Sequence, residues 1–102
     1  MFKKIKETKT RIASTLTHVA WLEMDLADRV AVLKEYKKPD YLHMQRKEGF
    51  PISPNSHKQL IAEGENNIRI EKRNIARQKR LCHILKNNHP IVWFFFFRGE
   101  KI

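Results

Sequence analysis

The chain has 102 residues, 21 of them Lys or Arg against 11 Asp or Glu, for a formal net charge of +10. That length allows a single domain with a modest core, which argues against a catalytic cleft. The charge favours a polyanion or an acidic protein surface as partner.

The excess charge is localised. Lys3, Lys4, Lys6, Lys9 and Arg11 face one acid, Glu7, in the first eleven residues. Arg69, Lys72, Arg73, Arg77, Lys79, Arg80 and Lys86 face one acid, Glu71, between positions 69 and 86. These two stretches account for the whole net charge, and everything between and beyond them balances.

Residues 2–38 contain neither Gly nor Pro, and Ile5, Ile12, Val19, Leu26 and Leu33 recur at intervals of seven. With Leu16, Leu22, Val30 and Tyr36 three or four positions away, this predicts one long helix with a coiled-coil-like seam. Thr8, Lys9, Thr15, Glu23 and Arg29 interrupt its second row. Pro39 disfavours helical geometry at Lys38 and ends the helix. Residues 39–55 form the connection. Within it, Asp40–Glu48 predicts a short helix closed by Gly49 in a left-handed conformation, and 50–54 reads as extended chain.

A second long helix is expected over 56–88, with Ser56 and Gln59 spaced as a capping box. Ile61, Ile68, Ile75 and Cys82 again repeat at seven, and Gly64 permits close approach of a neighbouring helix. Asn87-Asn88-His89-Pro90 is a stop. At 1.5 Å per residue the helices would be roughly 55 and 48 Å long. The expected fold is therefore all-α, an antiparallel helical hairpin over 1–90 with the two basic stretches meeting at its open end. Lys34, Lys37 and Lys38 lie near the closed end.

The run Ile91, Val92, Trp93, Phe94, Phe95, Phe96, Phe97 is continuously apolar. Its β-branched and aromatic residues after Pro90 predict an extended tail over 91–102 that needs burial on both faces. Three destinations suit it: the chain's own hairpin, a protein partner or second copy, or a membrane interface. The last is the weakest, and the run is far short of the ~20 residues that span a bilayer.

The candidate binding residues are thus Lys3, Lys4, Lys6, Lys9, Arg11, Arg69, Lys72, Arg73, Arg77, Lys79 and Arg80. Arg69, Arg73, Arg77 and Arg80, at spacings of four, four and three, form one helical face suited to tracking phosphates. The bland reading of the same row is a solvated face, but such faces usually mix their signs. The candidate docking residues are Ile91–Phe97. No catalytic residue, metal site or cofactor is expected. Cys82, His83 and His89 offer three ligands where structural zinc takes four, and Cys82 falls on the apolar stripe. Glu23, Asp25 and Asp28 read as a solvated acidic patch rather than an ion site. Pro51 and Pro54 have only the minimal spacing of a polyproline ligand.

One cysteine leaves no intramolecular disulfide, and no apolar run follows Met1-Phe2-Lys3-Lys4-Ile5. Both point to a reducing, cytoplasmic setting. The expected function is a small non-enzymatic basic helical binding protein in a nucleic-acid-handling assembly. Its basic helix face would lie on phosphates and its tail would dock in a protein partner or dimer. The alternative is a protein-only inhibitor or modulator using the same basic face on an acidic site of a nucleic-acid enzyme. By analogy, the profile is similar to that of small phage- and plasmid-type accessory proteins.

Overall fold

The computed structural model describes residues 2–102. They are all-helical, with no strand among the described residues. The order is α1 (Phe2–Tyr36), α2 (Tyr41–Lys47), α3 (Pro54–Asn88) and α4 (Pro90–Phe96). The long helices α1 and α3 contact each other. The chain forms two compact units, one from residues up to Glu23 with Arg73–Ile102, the other from Met24–Lys72.

The first unit holds the apolar core. Ile12 of α1, Leu85 of α3 and Trp93 of α4 are buried together with Phe97, and Ala13, Leu16, Leu81, Val92 and Ile102 pack around them. Val19, Leu22, Ile75 and Cys82 are buried in the same unit. The seven-residue rows therefore do face inward here, although Ile5 at the start of α1 remains exposed. Thr15, which breaks the second row, is buried at little cost because its hydroxyl donates to the Arg11 carbonyl at 2.8 Å.

In the second unit Leu26, Leu33, Ile61 and Ile68 are half-buried. A Cβ on Gly64 would lie 3.1 Å from Leu33 Cδ1, so the glycine does serve a close helix approach. At the connection, His57 Nε2 donates to the Tyr36 carbonyl left free at the end of α1. Tyr41 stacks on His57 and meets Tyr36 edge-on. Gly49 closes α2 with φ 89°: its N–H reaches the Arg46 carbonyl and the Phe50 N–H reaches that of Gln45. That is the Schellman pattern its sequence position predicts.

Two expectations are corrected. The second long helix begins at Pro54, not Ser56. Ser53 acts as its cap, its Oγ accepting from the Ser56 N–H at 3.1 Å, and Pro54 takes the first helical position, where its missing N–H costs nothing. The apolar run is a helix, not an extended tail. Pro90 again occupies the first turn, and the Trp93 N–H reaches the His89 carbonyl. A strand needs a partner for its backbone groups, whereas a helix satisfies its own. The helical spacing also brings Trp93 and Phe97 onto one inward face.

Candidate nucleic-acid interface

The unit that contains α4 carries twelve basic residues against three acids, a net charge of +9, and the other carries nine against eight, a net +1. The basic unit gathers Lys3, Lys4, Lys6, Lys9, Arg11, Arg73, Arg77, Lys79 and Arg80. Arg69 and Lys72 lie in the other unit and are exposed. All of the gathered side chains are exposed except Lys79, which is half-buried. Lys79 is also the one that is neutralised, by Glu23 at 3.0 Å, the only ion pair within this unit among the described residues.

The near-neutral unit pairs four of its eight acids internally. Lys37 pairs with Glu65 and Lys38 with Glu35, each at 2.8 Å. Arg29 Nε reaches Asp25 at 2.9 Å and Glu71 at 2.7 Å. The mid-helix acids that the sequence presents as a solvated patch thus have partners within the chain, except that Asp28 remains exposed.

At about 100° per residue, Arg73, Arg77 and Arg80 sit roughly opposite Ile75, on the solvent side of α3. Lys3 is likewise opposite Ile12 on α1, while Lys6 and Lys9 flank one side and Lys4 and Arg11 the other. The cations therefore surround the unit instead of forming one plane. Lys6 and Lys9 also border an open groove of about 690 Å³ along α1, with Ser14, Thr17, His18 and Trp21. Such a surface suits long-range attraction of a polyanion more than shape-specific recognition.

The seven candidate docking residues separate by face. Trp93 and Phe97 are buried and Val92 half-buried, which commits them to the chain's own core. Ile91, Phe94, Phe95 and Phe96 stay exposed.

Glu71 is the residue that sequence reasoning passed over. It counts there only as the lone acid in a basic stretch, yet it stands three residues after Ile68 and four before Ile75, on the apolar stripe. It is 7% exposed, and its Oε1 has no hydrogen-bond partner. Burial lifts its carboxyl above the ordinary value and the neighbouring Asp25 adds to this, while Arg29 opposes it. The Arg29 guanidinium holds Asp25 below its ordinary value. A raised carboxyl means that the fold binds the Glu71 proton more tightly than the unfolded chain does. Its contribution therefore falls as pH rises from the ordinary value of 4.5 through the folded one. Glu71→Gln, which fixes the neutral form, is expected to gain stability relative to wild type between pH 4.5 and 7. Melting temperatures of both proteins across that range check this, and a constant or shrinking gap contradicts it.

Cys82 is fully buried and burial pushes its thiol up. Among the described residues no group of three or more His, Cys, Asp or Glu is placed to hold a metal ion. Among the described residues no helix is long and apolar enough to cross a membrane. Comparison with known proteins finds no matching family model, no similar curated protein and no similar solved structure.

Proposed function

We propose that this chain is a small non-enzymatic binding protein that engages the phosphates of nucleic acid within a larger assembly. The supporting observation is the contrast between the units. One carries +9 with a single internal ion pair among the described residues, whereas the other is near neutral and pairs four of its eight acids with its own cations. Unpaired, solvated Lys and Arg side chains release counterions when they meet phosphates, and this drives association without reading sequence. Arg73, Arg77 and Arg80 offer forked donors, and Lys3, Lys4, Lys6, Lys9 and Arg11 add charge across α1. In this reading α1 and α3 form one antiparallel hairpin that carries the charged surface. The setting is cytoplasmic, and a bilayer is not the partner.

A second reading keeps the same cations but places them on an acidic protein, as an inhibitor or modulator of a nucleic-acid enzyme would. The exposed side of α4 favours it, since apolar side chains can dock in a protein groove. A tagged pull-down from native lysate, with and without nuclease, separates the two. Loss of all captured material on nuclease treatment supports the phosphate reading. A protein complex that survives unchanged overturns it in favour of the second.

A further inference from the structure

α4 presents two different faces. Trp93 and Phe97 are held in the core, their rings 5.7 Å apart, so the helix cannot turn over without dismantling that core. The rest of the helix surface leaves Ile91 71%, Phe94 57%, Phe95 72% and Phe96 48% exposed, with Ile91 and Phe95 opposite the buried pair and Phe94 and Phe96 on its two flanks. Together they uncover on the order of 500 Å² of apolar surface, a size that marks interaction sites.

Cations are interleaved with these rings. Lys9 Nζ lies 4.3 Å from the Phe96 ring centre and the Arg98 guanidinium 5.5 Å from that of Phe94. Lys86 Nζ lies 5.4 Å from Trp93. Phe94 and Phe95 meet edge-to-face with centres 5.6 Å apart. An occupant of this face must offer apolar surface to the rings and negative charge within a few ångströms of them.

An anionic bilayer separates these two requirements by depth, with rings among the acyl chains and cations at the headgroups. A nucleotide strand alternates them, one flat base and one phosphate at a time. A duplex hides its base faces within its own stack. Of the two forms of nucleic acid, the single strand presents both to α4.

We propose that the exposed face of α4 is a stacking platform for single-stranded nucleic acid, with Phe94, Phe95 and Phe96 taking bases and Lys9 and Arg98 the adjoining phosphates. This rests on the phosphate reading above and names the strand form that the site prefers. The cations leave the rings as bases arrive, exchanging a ring for a phosphate oxygen.

The test uses the full chain at low salt, with fluorescence anisotropy against labelled oligothymidylate and a duplex of equal length. The single strand is expected to bind at least about tenfold more tightly. The triple variant Phe94→Leu, Phe95→Leu, Phe96→Leu keeps the apolar bulk but removes the π faces. It is expected to lose that preference while its duplex affinity stays within about twofold. Circular dichroism confirms that the variant folds, and Phe95→Leu alone, at the most exposed ring, gives the same direction if it does not. Equal wild-type affinity for the two forms overturns the proposal and leaves the phosphate reading standing. A preference that survives the leucines also overturns the proposal, as does wild-type sedimentation with anionic vesicles at unchanged yield for the variant. No binding of either form overturns the phosphate reading and the proposal with it.

Discussion

Trp93→Ala is expected to destabilise the fold by about 3–5 kcal/mol. Trp93 is buried with Ile12, Leu85 and Phe97, so it joins α1, α3 and α4 in one cluster. Truncation removes the largest side chain of that cluster and leaves a cavity that three separate elements would have to move to fill. A chain of this size has a total stability of about 5–15 kcal/mol, so the loss is a large fraction of it. Urea unfolding followed by far-UV circular dichroism measures the effect. Phe95→Ala, two residues further along the same helix, is the contrast. Phe95 is 72% exposed, so its truncation is expected to change stability by less than about 0.5 kcal/mol. Equal effects at the two positions would mean that α4 does not pack as described.

Replacing Arg73, Arg77 and Arg80 together with Gln is expected to weaken binding to nucleic acid about five-hundredfold near 100 mM salt. Each phosphate contact contributes roughly 0.9 to the logarithmic salt slope, which amounts to nearly tenfold in affinity at that salt. The three arginines are exposed, lie on the solvent side of α3 and have no ion pair among the described residues, so their loss leaves the core intact. The control is Lys34, Lys37 and Lys38 to Gln, which removes the same charge from the near-neutral unit. Two of those lysines already serve Glu35 and Glu65. The control is expected to weaken binding less than about threefold, because a site, unlike net charge, has a location. Gel mobility shift or anisotropy at fixed salt reads both variants. Similar losses in the two would reduce the effect to overall charge.

The long helices were legible because their evidence is periodic. Ile12, Val19, Ile75 and Cys82 recur at seven and are buried together in one unit. Gly49 and Gly64 could also be read, one from its place after a short helical run and the other from the close helix approach that a glycine inside a long helix permits. The apolar run has the β-branched and aromatic composition of a strand, yet in its position after Pro90 it forms a helix. Pro90 is an ordinary first-turn residue, and the i, i+4 pair Trp93 and Phe97 fits a helix as well as a strand. What decides is the supply of backbone partners, which composition does not show.

Of the candidate interface, the identity of the cations was legible and their distribution was not. Arg69 and Lys72 continue the pattern of Arg73 and Arg77 in sequence but fall within the other unit. Glu71 was hidden for the opposite reason. Its neighbours in sequence are basic, so it reads as a surface residue, while its neighbours on the helical stripe, Ile68 and Ile75, are apolar. The exposed rings of α4 are not legible in an extended segment, because only the helix separates Trp93 and Phe97 from Phe94 and Phe95.

The most direct measurement is the affinity of the full chain for nucleic acid of two unrelated sequences across 50–200 mM salt. With four or more phosphates engaged by the basic unit, affinity should fall at least about a hundredfold over that range, along the same line for both sequences. A flat dependence, or binding confined to one sequence, would contradict a phosphate-binding role for these cations.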